Sequence, residues 1–524
     1  MKKNSLILLT LLMVGMKAYS FCGFYVARAD VQLLNKTSQV ILVRDGEKTT
    51  VTMSSDFEGN VKDFAMVIPV PIVLSEKDIR VVERSIFDQL DSYSGPRLVE
   101  YWDPSPCRQL NEEYSLVKRS AAMAASDGKS EREKDEEKSY NVQVVAKYTV
   151  GEYDIMILNA MESGGLERWL KDKGYKIPPG AKEVLEPYIK SNMKFFVVKV
   201  NLEEQKKLAT QVLRPIQITF SSKKFMLPIR LGMANGEGSQ DMIIYSFTRG
   251  GRIETTNYRT VKMPSDRNVP EFIQQYFGKF YVDLYRKNLQ REGHDNVFLE
   301  YAWDLSGQNS VKCDPCASQP PMISELNAAG VNWVRSNSWG GYDGAVFFTR
   351  LHVTYDRENF PQDLVFQETP NREQFQCRYI INHPANRNGD CSEWRDYAES
   401  KKISRKKELR ELTGLTGWDV SRYWDYPGKF QNYQAPPPPD ENTGFVKPAH
   451  NNRPSTTLPP DEMQAQTNTG TDSVYQAGQI NQTAFNETRK STSKEANSGW
   501  SGSFGMVALV LVAGLAAVHK RNNV

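Results

Sequence analysis

The stretch QVILVRDGEKTTVTMS, residues 39–54, decides the fold. Two runs rich in β-branched and aliphatic residues flank Asp45-Gly46, a pair that supplies the positive φ angles of a tight hairpin turn. Strands joined so closely are antiparallel, because a parallel crossover takes about a dozen residues or more. Working outward, residues 31–34 read as a strand, and residues 64–70 as a buried strand ended by Pro69 and Pro71. Residues 142–150, 155–158, 194–200, 216–220, 242–248, 252–261 and 344–355 also carry strand character. The strands at 242–248 and 252–261 are expected to join around Gly250-Gly251.

Helices alternate with these strands. Ser75 as N-cap and Asp78 at the third position predict one that carries Ile79, Val82, Ile86, Leu90 and Tyr93. Residues 165–173 place Leu166, Trp169 and Leu170 on one face, and a further helix starts at Ala181. Pro270 opens a long helix reaching about Asn288, in which Phe272, Tyr276, Phe280 and Leu284 recur every four residues. Such an aromatic stripe is a core face rather than a ligand platform. The expected fold class is α+β: largely antiparallel mixed sheets with helices, stabilised by disulfides.

The two ends of the chain carry a different grammar. Lys2 and Lys3, an apolar run over residues 6–14 and Ala18-Tyr19-Ser20 have the order of a secretory signal peptide. Cys22 follows Phe21, where lipidation needs a small residue. From residue 431 to 498 the chain turns to Pro, Asn, Thr, Gln and Ser, too polar to offset its ordering entropy by burial. Residues 503–518 are apolar and uncharged, and His519, Lys520 and Arg521 follow. At about 1.5 Å per residue the run covers about 24 Å, slightly short of a hydrocarbon core near 30 Å, and its basic end faces the cytoplasm. The expected organisation is therefore a signal peptide over 1–20, an ectodomain over 21–430 in one or two subdomains with an exposed charged insertion at 118–138, a stalk over 431–498, and a C-terminal segment over 499–524. That last segment is either a transmembrane anchor or a sorting tag removed on the way to the cell surface.

Charge and motifs narrow the function classes. The 66 basic and 63 acidic residues nearly cancel to a formal +3, so no whole-chain field attracts nucleic acid. Phosphate-loop, H-E-x-x-H and G-x-S-x-G patterns are missing from the sequence, and no cofactor or metal follows from it. Of five histidines, His450 falls in the stalk and His519 beside the apolar end; His294, His352 and His383 remain, with His352 and His383 the catalytic candidates. Six cysteines, Cys22, Cys107, Cys313, Cys316, Cys377 and Cys391, read as disulfides in an exported chain. Segment grouping pairs Cys22 with Cys107, Cys313 with Cys316 and Cys377 with Cys391. Cys313-Asp314-Pro315-Cys316 also has the spacing of a redox dithiol or a zinc knuckle, so Cys313 and Cys316 stand as candidates beside the histidines. A basic helix with Lys401, Lys402, Arg405, Lys406, Lys407 and Arg410 reads as a solvated face, or else as a surface for anionic lipid or a cell-surface polymer.

Several segments in chain order carry a resemblance: Cys22-Gly23-Phe24-Tyr25-Val26, Asp103-Pro104-Ser105-Pro106-Cys107, Gly151-Glu152-Tyr153-Asp154-Ile155, and Trp169-Leu170 before Gly174-Tyr175-Lys176-Ile177-Pro178. Tyr301-Ala302-Trp303-Asp304, Cys313 to Cys316 and Thr349-Arg350-Leu351-His352-Val353 extend it. Together they resemble an exported bacterial family known only as a domain of unknown function, of the DUF2330 type, from Cys22 to about Arg378. The resemblance implies an extracytoplasmic bacterial protein, often anchored, and no assigned activity. The expectation is a membrane-anchored envelope protein that binds a partner, an envelope or cell-surface protein or polymer. The rival classes are an envelope enzyme, a hydrolase or thiol oxidoreductase, and a structural envelope protein.

Overall fold

The computed structural model describes residues 24–26, 38–54, 65–107, 142–173, 181–208, 213–234, 238–306, 319–338, 341–386, 391–430 and 433–439. All of them fall in the compact unit Met1–Phe445, and the unit Val446–Val524 has no described residue.

The hairpin forms as its sequence dictates. Ser38–Asp45 and Lys48–Ser54 pair antiparallel, and Gly46 takes φ 60° in the turn. They lie inside a nine-stranded sheet ordered Arg259–Lys262, Asn296–Asp304, Phe347–Tyr355, Gln240–Thr248, Ser38–Asp45, Lys48–Ser54, Ile216–Ser221, Ile79–Val81, with Phe375–Gln376 also on Asn296–Asp304. Two of its pairings are parallel: Gln240–Thr248 with Ser38–Asp45, and Arg259–Lys262 with Asn296–Asp304. A five-stranded antiparallel sheet packs against it, ordered Phe24–Val26, Ala65–Val70, Lys194–Val200, Tyr153–Ala160, Val142–Val150.

Period-2 alternation sorts the side chains into layers. Val40 and Leu42 face Ile155, Phe196 and Val198 in the core between the sheets. Ile41 and Val43 face the opposite way, toward Phe87 and Leu90 of helix Ser85–Ser94 and Leu326 of helix Ile323–Ala329. Behind the smaller sheet, Leu158 and Phe195 meet Leu166, Trp169 and Leu185 of helices Ser163–Asp172 and Ala181–Lys190. Because both faces of the central strands are covered, their sequences are continuous apolar runs rather than alternating ones.

A third layer supports the site described below. Helices Ile273–Glu292 and Glu393–Thr416 enclose a core with Tyr379, Leu409, Leu412 and Tyr423, beside a small parallel sheet ordered Arg267–Asn268, Arg378–His383, Arg97–Trp102. The predicted aromatic stripe is indeed core: Phe272, Phe280 and Leu284 are buried and Tyr276 is half-buried. Tyr433 and Ala435 still pack on this core.

Several expectations are corrected. Ser75 and Asp78 do form a capping box, but it closes a single 3-10 turn, Glu76–Asp78. Ile79–Val81 then pairs with Ile216–Ser221 as an edge strand, and the helix begins only at Ser85, because the sheet edge buries Ile79 and takes up its backbone. Residues 252–261 do not form a hairpin across Gly250-Gly251. Ile253–Thr255 pairs with Leu364–Glu368, and Arg259–Lys262 runs parallel to Asn296–Asp304. Gly251 instead admits the 369–371 loop, since a Cβ there would stand 2.5 Å from the carbonyl oxygens of Thr369 and Asn371.

The cysteine pairing also changes. Cys107 is bonded to Cys391, 284 positions away, so it does not pair with Cys22, nor Cys391 with Cys377, which is a buried free thiol. The cause is the sheet: Trp102 and His383 are register partners on parallel strands, so the segments leaving both strands run out side by side. Cys22, Cys313 and Cys316 lie outside the described residues, as do residues 1–20, 31–34, 118–138 and 440–524. Among the described residues no helix is long and apolar enough to cross a membrane.

Candidate functional site

The two candidate histidines end in unlike surroundings. His352 belongs to a buried ion-pair network in the large sheet. Strand Asn296–Asp304 shifts register between Leu299 and Tyr301 against Phe347–Tyr355, and Glu300 is the extra residue of that bulge. Its wholly buried carboxylate accepts from Arg350 Nε at 2.6 Å and from the Tyr281 hydroxyl, and lies 2.9 Å from His352 Nδ1. Arg350 Nη1 donates to Asp91 at 2.6 Å, and the Tyr245 hydroxyl shares that carboxylate at 2.9 Å. Burial alone pushes the Glu300 carboxyl up. The Arg350 charge, then His352 and the Tyr281 hydrogen bond, outweigh it and hold the group at about 2. Tyr285 stacks on the imidazole at 3.9 Å. Glu300 has no exposed side-chain surface and Arg350 has 7%, so the centre of this network is closed to a substrate, while Asp91 at its edge is half-exposed. Nearby, burial pushes the Cys377 thiol well up, which keeps it protonated and unreactive.

His383 is at the surface. It ends strand Arg378–His383 beside Trp102, which ends strand Arg97–Trp102; the rings stack at 4.8 Å with an 18° interplanar angle. Trp102 is 68% exposed, so one face of the indole is backed by imidazole and the other is open. Glu100 points to the same side as Trp102, two residues away on the strand, and its Oε2 lies 2.7 Å from His383 Nε2 while Oε1 accepts from Gln274 Nε2 at 2.9 Å. Glu271, just before helix Ile273–Glu292, is 3.9 Å from His383 Nδ1 and 3.0 Å from Arg405 Nη2.

Arg405 corrects the reading of the basic helix. Lys401 and Arg405 are buried, not solvated. Arg405 Nη1 donates to the carbonyls of Tyr426, at 3.1 Å, and Lys429, and its guanidinium covers the Tyr426 ring at 4.4 Å. Lys401 donates to the Asn382 carbonyl at 3.0 Å and pairs with Asp103 at 2.9 Å. Glu408 accepts from the Tyr426 hydroxyl at 3.0 Å, and burial raises its carboxyl to about 7. Exposed charges remain on the rest of this helix at Lys406, Lys407 and Arg410, and half-buried Lys402 pairs with Glu399.

Trp102, His383 and Glu271 border an open cleft of about 570 Å3, whose lining also includes Gln274, Gln275, Asn386 and Gln434. The Cys107–Cys391 bond ties together the two segments that leave Trp102 and His383, bracing one wall. Among the described residues, no group of three or more His, Cys, Asp or Glu side chains is placed to hold a metal. Both neighbouring carboxylates already have partners, so the arrangement is equipped to hold a ligand against an aromatic face. Sequence reasoning found His383, placed Arg405 on a solvated helix face, and missed Trp102, Glu100 and Glu271. The available signal was Tyr101-Trp102, two aromatics directly before the Asp103-Pro104 turn.

Fold and site define an α+β protein with a disulfide-braced surface cleft lipped by an exposed tryptophan. The chain belongs to a bacterial family described as "Uncharacterized protein conserved in bacteria (DUF2330)", whose model matches residues 16–367, more than half of its length. No curated protein and no solved structure matches the chain. The family match includes Trp102, Cys107 and Glu271 and stops before His383, Cys391 and Arg405, so one wall of the cleft is built from chain beyond the matched span.

Proposed function

We propose that this protein is an exported envelope protein, held at a membrane by its C-terminal apolar segment, whose ectodomain works by binding an envelope or cell-surface partner through the Trp102 cleft. The observation that carries the binding reading is the open face of Trp102, braced by His383 at the edge of a cleft of about 570 Å3. A large aromatic left in water is costly for a chain with no use for it, and a rigid aromatic is an effective contact surface. The disulfide supports the exported location, since such bonds persist in oxidising compartments. The signal-like start, the polar stretch after residue 440 and the apolar run at 503–518 support anchoring.

A hydrolase is the second reading, favoured by the 2.7 Å His383–Glu100 contact beside the cleft. Binding fits better because Glu100 is also held by Gln274, and Glu271, which lines the cleft, by Arg405, so each carboxylate is already engaged. Fractionation of cells expressing the full chain tests the location. Recovery in the membrane pellet, with the ectodomain accessible to protease from outside the cytoplasm, is expected; a clean soluble cytoplasmic fraction would overturn it. For the site, loss of retention on purified envelope material in Trp102→Ala, with unchanged stability, is the expected result. Retention equal to wild type would remove the cleft from the function.

A further inference from the structure

The cleft has a lining that selects one ligand chemistry. On one side stands the free face of Trp102, flat, apolar and held in place by the stacked His383 ring. Around it Gln275, Asn386 and Gln434 are exposed amides whose side chains have no partner among the described residues. Each amide offers both donors and an acceptor. Among the described residues no lysine or arginine lines the cleft; Arg405 is buried and paired with Glu271, and Lys429, beside Phe430, pairs with Asp425. Phosphate or sulfate groups need cationic partners, so nucleic acid and polyanionic polymers do not match the described lining, which carries the acidic Glu271 instead. An apolar ligand does not match it either, because it would leave the amides without partners.

We infer that the cleft is a binding subsite for an uncharged saccharide chain, with one sugar ring laid flat on Trp102 and its hydroxyls held by Gln275, Asn386 and Gln434. A pyranose ring has what this surface complements: a face of C–H groups that packs on an aromatic ring, and a perimeter of hydroxyls that both donate and accept. The cleft volume of about 570 Å3 lies within the range of about 300–1,000 Å3 usual for ligand clefts. Its open shape suits an extended polymer better than an enclosed small molecule. Preorganisation adds to the match, since the His383 stack and the Cys107–Cys391 bond fix the platform before the ligand arrives. This assignment rests on the binding reading given above and names its ligand class.

The test uses the full chain in lipid nanodiscs, free of sugar-based detergent, with cellohexaose and chitohexaose as uncharged probes and a heparin hexasaccharide as the charged one, titrated by calorimetry. Binding of at least one uncharged probe is expected, weakened at least about tenfold in Trp102→Ala, which corresponds to about 1.4 kcal/mol. Gln275→Ala should weaken it several-fold. Trp102 is largely exposed, so its variant keeps the wild-type urea midpoint, and that measurement separates lost contact from lost fold. Failure of both uncharged probes, stronger binding of the heparin probe, or unchanged affinity in Trp102→Ala would each overturn the saccharide assignment. Failure of the probes alongside Trp102-dependent retention on a glycan-free envelope protein fraction would overturn it while leaving the binding reading intact. Recovery of shortened oligosaccharide would instead overturn binding without chemistry and keep the ligand class.

Discussion

Replacing Glu300 by Gln keeps the shape of the side chain and removes the charge on which Arg350 and His352 converge. The wild-type carboxyl is held at about 2 in the fold, against an ordinary value near 4.3 once unfolded. A difference of about 2 pKa units, at about 1.4 kcal/mol each, gives about 3 kcal/mol at neutral pH. Removing one partner of a buried ion pair costs about 3–5 kcal/mol, because the other is left buried, which is of the same size. The sign follows from the depressed value. This contribution is fully present above about pH 4.3 and is lost as pH falls through about 2, where wild-type Glu300 is itself neutral. Urea unfolding followed by tryptophan fluorescence on the wild type and Glu300→Gln measures it. The gap in stability should be about 3 kcal/mol near neutral pH and narrow steadily toward about pH 2. A gap below about 1 kcal/mol near neutrality, or one that does not change with pH, would refute the claim that the ionised carboxylate organises this part of the sheet.

Glu408 has the opposite sign. Its carboxyl is raised to about 7 by burial, so its protonated form favours the fold at low pH, and wild-type stability should fall by up to about 3 kcal/mol as pH rises from about 4 through 7; the Glu408→Gln chain should lack that fall in a melting-temperature series. Replacing both Cys107 and Cys391 by Ser should lower stability by about 2–4 kcal/mol in urea unfolding, and adding reductant to the double variant should do nothing further at this bond. Cys377, buried and with its thiol pushed well up, should resist iodoacetamide in the native chain and react once urea is added, as read by peptide mapping.

What could be read from the sequence, and what could not, divides along sequence distance. The Asp45-Gly46 hairpin was legible because turn chemistry and strand formers are local, and the stripe of Phe272, Phe280 and Leu284 because helical periodicity is local too. The cleft was not, because Trp102 and His383 meet only through the pairing of two strands some 280 positions apart, and the disulfide follows that pairing. Arg405 was misread for a different reason. Basic residues are rarely buried, which made the run at 401–410 look solvated. Yet Lys401, Arg405, Glu408, Leu409 and Leu412 occupy one helical face together, and all five are buried. Charge on the apolar face of a helix is therefore a prompt to look for a buried partner, which here is Glu271.

The same rule applies to strands, and there the partner could be sought in the sequence itself. Residues 296–304 read NVFLEYAWD, with Glu300 alone inside an apolar run; residues 347–355 read FFTRLHVTY, with Arg350 and His352 alone in theirs. An isolated charge in a strand buried on both faces cannot stand unpaired, because its desolvation would cost several kcal/mol. Two such strands carrying opposite charges satisfy each other only if they are neighbours, which they are. The alternation of side chains adds a constraint, and the bulge between Leu299 and Tyr301 is where the sheet yields to it, turning Glu300 to the face that Arg350 and His352 share. The lone charges thus carry pairing information that hydrophobic pattern does not, and the bulge is the local cost of using it.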